Sequence, residues 1–228
     1  MATREQVQFA LQGQRKVSAL LLMPAKPRYL LVLAHGAGAG MHHPFLEKLA
    51  EELAAVAVAT LRYQFPFMEE QRRIPDPPSV LTDTVVAAVQ TATQLASGLP
   101  LLAGGKSMGG RMTSQAAAKS ALGTVRGLVF FGFPLHPPKR PGTNRAEHLA
   151  KVAVPMLFLQ GTRDPLADLK LLRPVCAELG PRATLHVIET AEHSFHVLKK
   201  SAKNDAEVLQ ELATTTVSWA DQMSAADR

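Results

Sequence analysis

The chain has 228 residues, 46% of them hydrophobic, a formal net charge of +6 and one cysteine. That length and apolar content suffice for one substantial core and predict a single domain over 1–228, since no long linker, low-complexity tract or internal repeat divides it. Lone Cys176 rules out an internal disulfide, and the basic residues (Arg72-Arg73, Lys139-Arg140, Lys199-Lys200) are scattered rather than striped or interleaved with aromatics, which argues against a nucleic-acid partner.

In chain order, residues 7–11 and 17–23, separated by Gln12-Gly13-Gln14, read as an antiparallel pair opening a sheet. Residues 29–34 form a near-continuous apolar run, as in a strand buried on both faces, and end in His35-Gly36-Ala37-Gly38-Ala39-Gly40. A helix is predicted over 44–55, a strand over 56–61, and a long helix over 79–96. The strand at 99–103 leads into Gly105-Lys106-Ser107-Met108-Gly109 and a helix-like stretch at 111–120. Strands at 128–132 and 154–159, a helix at 166–179, a strand at 184–188 and a terminal helix at 205–223 complete the reading. The charge-free stretch 84–105 is broken by Gln90, Thr91, Thr93, Gln94, Ser97, Gly98 and Pro100, so it reads as helix, turn and strand rather than as a membrane span. Met1-Ala2-Thr3-Arg4-Glu5 is polar and lacks a signal-peptide core, so the expected location is cytoplasmic, with no membrane partner. Cys176 lies at helical spacing among apolar residues and reads as a small buried side chain.

From Tyr29 onward strands and helices alternate with short connections, which demands a mostly parallel sheet covered on both faces. Ligands bind such sheets at the carboxyl ends of the strands, and the polar motifs fall at those ends. G-x-S-x-G between strand and helix is a nucleophile elbow: a tight turn lifts the Ser107 hydroxyl off the sheet, and glycines two residues either side allow close packing. A serine hydroxyl needs a base to take its proton, and the base needs an acid to hold its tautomer. Asp164, in the loop after the strand at 154–159, is the expected acid, with Asp168 as rival inside the following helix; His193, just past the last strand, is the expected base, with His196 as rival. The oxyanion of an acyl intermediate would be held by the backbone amides of Met108, directly after the nucleophile, and Ala37, in the glycine loop.

Gly36 and Gly38 are expected to border the substrate. Their spacing matches neither a P-loop, which ends in Gly-Lys-Ser/Thr, nor a G-x-G-x-x-G dinucleotide fingerprint, so no cofactor is expected. His35 reads as structural, its ring bonding nearby backbone. His42-His43 with Glu47 lacks a second ligand cluster, so no metal is expected either. Arg62, Lys106, Arg111 and Arg163 flank strand ends and suggest an anionic substrate, with Arg62 and Lys106 as candidate contacts. Phe65-Pro66-Phe67-Met68 would supply either an apolar pocket wall, with Phe65 touching substrate, or core packing.

The motifs His35-Gly36-Ala37-Gly38, Gly105 to Gly109, Gly161 to Asp164 and Glu192-His193-Ser194-Phe195 resemble the α/β-hydrolase superfamily over essentially the whole chain, and most nearly its small, uncapped, dienelactone-hydrolase-like branch. Within that branch, Gly105-Lys106-Ser107-Met108-Gly109-Gly110-Arg111, Phe133-Pro134-Leu135-His136-Pro137 and Gln160-Gly161-Thr162-Arg163-Asp164 are similar to the group containing subunit 3 of the NSL histone-acetyltransferase complex and its bacterial relatives. The resemblance implies the α/β-hydrolase fold: a central sheet of about eight strands, mostly parallel, with helices on both faces. Dienelactone hydrolases proper use cysteine where this chain has Ser107. Residues 133–152 are too few for a lid domain, and their proline and basic residues predict a semi-rigid rim around an open pocket. The expectation is therefore a carboxylesterase-like serine hydrolase acting on a small ester or thioester. Its alternatives are an acyltransferase using the same residues and a non-catalytic scaffold, since the eukaryotic members of the group work inside a complex.

Overall fold

Residues 29–34 meet the demand of a strand with apolar neighbours on both sides: β3 (Tyr29–Ala34) is buried at every position. In this computed structural model, which describes residues 2–11 and 15–226, β3 is the strand from which the sheet grows in both directions. The other strands are β1 (Thr3–Ala10), β2 (Lys16–Met23), β4 (Val58–Tyr63), β5 (Leu101–Lys106), β6 (Val125–Phe131), β7 (Met156–Gly161) and β8 (Ala183–Ile188), in the order β1-β2-β4-β3-β5-β6-β7-β8. β1 and β2 are antiparallel to each other, β2 is antiparallel to β4, and β4 onward across the sheet is parallel. The expected link at Gln12-Gly13-Gln14 lies outside the described residues.

The helices are α1 (Pro44–Ala55), the short α2 (Pro66–Glu69), α3 (Pro78–Leu95), α4 (Met108–Ala118), α5 (Leu169–Leu179) and α6 (Asp205–Ala226). The longer helices bury apolar stripes at helical spacing, as α1 does with Leu46, Leu49, Ala50 and Leu53. One apolar layer joins the sheet to α3, α4 and α5 through residues such as Val85, Met112 and Leu172. The layer on the opposite face joins it to α1 and α6 through Leu49, Leu53, Val208 and Leu212. Among the described residues no helix is long and apolar enough to cross a membrane.

β3 lies between β4 and β5, so consecutive parallel connections leave it in opposite directions, and a crevice opens there at the carboxyl ends. Ala34 pairs with Gly105, which sets the loop after β3 directly beside the loop after β5. The strand ends differ from the sequence expectation for a local reason. Gly104 and Gly105 belong to β5, paired with Leu33 and Ala34 on one side and Val129 and Phe130 on the other, and they are glycine because a Cβ at Gly104 would sit 1.9 Å from the Val129 carbonyl oxygen and one at Gly105 would sit 2.4 Å from that of Ala34. Consequently α4 begins at Met108, not three residues later. The segment 133–152 is not the expected rim: its 3-10 stretch, Asn144–Lys151, packs on α4 and α5, with Ala146 and Leu149 buried.

Candidate active site

Ser107 occupies φ 52° and ψ −116°, backbone that a side chain rarely adopts, at the junction of β5 and α4. The turn is held from outside: the Ser107 N–H donates to the Phe131 carbonyl 3.2 Å away, and Arg111 N–H donates to the Ser107 carbonyl at 3.1 Å. Gly109 is required because a Cβ there would lie 2.6 Å from the His35 carbonyl oxygen. The strain therefore has a source in the close approach of the β3 and β5 loops.

Three side chains from separate strand ends meet here. The His193 Nε2 accepts from the Ser107 hydroxyl across 2.8 Å, and His193 Nδ1 donates to Asp164 Oδ2 across 2.7 Å. The Asp164 side chain is 1% exposed and that of His193 is 23% exposed, so the carboxylate is sealed while the imidazole faces the crevice. Asp164 is held further by the Leu166 amide, which donates to its Oδ1 at 2.8 Å, and by the Gln160 side-chain amide, which donates to Oδ2. The sequence reading names Gln160 only within a family motif and gives it no role at the site. Its signal was a single amide inside the apolar run of β7, four residues ahead of the carboxylate.

The rivals go elsewhere. His196 pairs with Asp205 at 2.7 Å on the surface, and Asp168 caps α5 through the Lys170 amide at 2.9 Å.

The glycine loop is set by His35, which is fully buried. Its Nε2 accepts from the Phe65 amide at 3.0 Å, so Nδ1 carries the proton and donates to the Gly36 carbonyl at 2.7 Å. Burial holds this imidazole down to about 4, against the opposing pull of the Gly36 bond. It is a neutral bracket. Because a trans peptide places N–H opposite C=O, fixing the Gly36 carbonyl toward His35 turns the Ala37 N–H the other way. Met108 opens α4, and its N–H has no partner within the helix.

A cavity of about 370 Å³ lies over this constellation, lined by Gly36, Ala37, Gly38, Lys106, Ser107 and His193 together with Phe45, Leu46 and Leu166. Arg62 and Phe65, expected as substrate contacts, are corrected. The Arg62 side chain is buried beneath the loop before α1, donating to the Met41 carbonyl at 2.9 Å and lying 3.8 Å from Glu47, because β4 runs on to Tyr63 and turns this position inward. Phe65 is fully buried edge-on against His35, with ring centroids 4.9 Å apart, so the aromatic run is core packing. Neither lines the cavity. Arg163 is exposed and reaches the Thr190 carbonyl, and Arg111 lies under the 3-10 stretch, where burial and then the Arg145 charge lower its basicity. Cys176 is buried, its thiol pushed up to about 11 by desolvation.

A family model described as an alpha/beta hydrolase domain matches residues 27–221. This chain belongs to that family. Among solved structures, a dienelactone hydrolase from Anabaena variabilis superposes with a TM-score of 0.74 at 22% identity, covering 93% of this chain and 96% of its own. A serine hydrolase without a lid from Xanthomonas campestris gives a TM-score of 0.75 at 17% identity, covering 95% and 94%. These likenesses show the fold. Two Mycobacterium tuberculosis proteins, each named provisionally as a phosphoribosyl transferase, are 30% identical over 195 residues. That match is 84% of this chain and 42% of theirs, so the chain spans under half the length of these curated relatives.

Proposed function

We propose that the protein is a carboxylesterase-like serine hydrolase that cleaves a small ester or thioester through an acyl-enzyme. The supporting observation is the unbroken chain from the Ser107 hydroxyl through His193 to the buried Asp164 carboxylate. As the Ser107 oxygen attacks the substrate carbonyl, His193 Nε2 takes its proton, and Asp164 steadies the resulting imidazolium. The carbonyl oxygen becomes an oxyanion between the amides of Met108 and Ala37, which are set in place by the elbow and by His35. Collapse expels the alcohol or thiol, which receives the proton from His193. Water, deprotonated by the same nitrogen, then attacks the acyl carbon and releases the acid, restoring the Ser107 hydroxyl.

Neighbours described as esterases, such as an esterase domain from a Rhodothermus marinus protein with a TM-score of 0.68 at 14% identity, share the fold and are consistent with this chemistry. The phosphoribosyl transferase name belongs to proteins of which the match covers 42%; we assign hydrolysis to this chain because its own family-matched residues, 27–221, include Ser107, Asp164 and His193. We further read residues 1–228 as one catalytic domain, cytoplasmic, similar to the group containing NSL subunit 3. Short p-nitrophenyl esters test the function. The wild type should turn over and react with a fluorophosphonate at Ser107, while Ser107→Ala should lose on the order of 10³-fold or more in kcat. Equal rates for the two proteins would remove the serine from the mechanism.

A further inference from the structure

Lys106 directly precedes the proposed nucleophile and closes β5. Among the described residues its ammonium has no carboxylate partner within ion-pair distance; it donates instead to the main-chain carbonyl of His193. The same nitrogen lies 5.4 Å from the centroid of the Phe195 ring and 6.0 Å from that of Phe45. Those two rings, one from the segment after β8 and one from α1, stack at 5.6 Å with 10° between their planes. Gly132 also comes close, at φ +73°, where a Cβ would lie 3.0 Å from Lys106 Nζ and 3.4 Å from His193 Nδ1. Four elements thus meet at this ammonium on the cavity wall: the ends of β5 and β6, the start of α1 and the segment carrying the histidine.

That segment, residues 189–204, contains neither helix nor strand. Within it Thr190 and Phe195 hold φ of 60° and 65°, in the left-handed region that favours glycine. Backbone of this kind keeps its shape only when its surroundings fix it. Ala191 is fixed by the Arg163 amide, which donates to its carbonyl at 2.9 Å. At His193 itself the carbonyl bond comes from Lys106. Burial pushes the Lys106 ammonium down to about 8, against the pull of the Asp164 charge, so the fold carries a desolvation cost to keep a cation at this spot.

We propose that Lys106 is a positioning residue that ties the histidine-bearing segment to the nucleophile elbow and thereby helps to set the Ser107–His193 distance. This rests on the hydrolase reading given above and assigns Lys106 a role other than substrate contact. Because a displacement of about 1 Å at a reacting pair costs about 10²-fold in rate, a loosened histidine should reduce kcat and leave binding of a small neutral ester nearly unchanged.

The test compares wild type with Lys106→Met, which keeps length and bulk while removing donor and charge, and with Lys106→Gln in case the first variant fails to fold. Two readouts are taken: kcat and KM on a p-nitrophenyl ester, and amide hydrogen exchange at Glu192 and Phe195, whose N–H groups bond to the His196 and Glu192 carbonyls inside the segment. The expected result is a fall in kcat of about 10²-fold with KM changed less than about threefold, and at least tenfold faster exchange at both amides, with Leu157 and Leu159 of β7 unaltered. A raised KM with kcat retained would make Lys106 a substrate anchor and overturn the proposal. Unchanged exchange at Glu192 and Phe195 would overturn it as well. Should the wild type neither hydrolyse the ester nor take the fluorophosphonate, the hydrolase reading falls, and exchange alone decides the tie.

Discussion

Lowering the pH from 7 to 5 should weaken the fold through two histidines before its carboxylates titrate. His35 is held down to about 4 by burial, and His148 is held to about 4 by burial and then by the Arg111 charge. His35 has a specific reason to refuse a proton: its Nε2 already accepts the Phe65 amide, so protonation there would set two N–H groups against each other. In the unfolded chain both imidazoles titrate near about 6.5, so between that value and 4 the unfolded state binds protons that the native state does not. Stability from these groups is therefore complete above about pH 6.5 and drains away as pH falls toward 4, at up to about 1.4 kcal/mol per pH unit for each. Between pH 7 and 5 this amounts to about 2 kcal/mol for the sealed His35 and about 1 kcal/mol for the half-buried, partly screened His148, out of a total of about 5–15 kcal/mol for an ordinary domain. Urea unfolding at pH 7, 6 and 5 measures it directly, with His148→Gln as the comparison expected to lose about 2 kcal/mol over the same range. Equal stability at pH 7 and pH 5 would refute the tautomer assignment and, with it, the argument that His35 aims the Ala37 amide.

Asp164→Asn should lower kcat by about 10³- to 10⁴-fold with little change in KM, because an amide in place of the carboxylate favours the wrong imidazole tautomer; a loss under tenfold in steady-state assays would take the carboxylate out of the mechanism. Gly132→Ala should reproduce much of the Lys106→Met defect by pushing on both Lys106 and His193, and the double variant should be little worse than Lys106→Met alone. Additive losses in a double-mutant cycle would show that the two positions act independently.

The central parallel strands were legible because burial on both faces forces unbroken apolar runs, which is why Tyr29–Ala34 is both the sequence segment and the strand. Boundaries were less legible where the neighbour, not the residue, decides. Val56 and Ala57 read as strand but end α1, with Ala57 at φ 64°, and β4 starts at Val58. Gly104 and Gly105 have poor strand propensity, yet they pair within β5 between backbones that leave no room for a Cβ. The same distinction divides the site. Ser107, Asp164 and His193 each follow the carboxyl end of a strand, and chain direction carries all three segments to the crevice side. Arg62 and Phe65 also sit near a strand end, but whether they enter the cavity depends on where β4 stops, and two further residues of strand turned Arg62 under the loop. The proline-rich segment 133–152 showed no periodicity of its own and took its conformation from α4, including the bond at 2.7 Å between Ser114 and His148.

The site's accuracy has two physical origins. The loops after β3 and β5 are fixed by main chain against main chain: the Ala34–Gly105 pairing brings the His35 carbonyl to 2.6 Å from where a Gly109 Cβ would stand. Asp164 is likewise fixed by three donors within a few residues of β7 or from the histidine itself. His193 arrives last of the three, on the irregular segment 189–204, which is longer than the loop 162–168 that carries Asp164. Side-chain ties from other elements gather there, as they must if local hydrogen bonding cannot define its path: Phe45 stacks on Phe195, Thr162 Oγ1 accepts the Thr190 amide at 2.8 Å, and Lys106 holds His193. The elbow and the short loop after β7 thus fix Ser107 and Asp164 largely through nearby main chain, whereas the longer segment carrying His193 takes its shape from side chains of other elements.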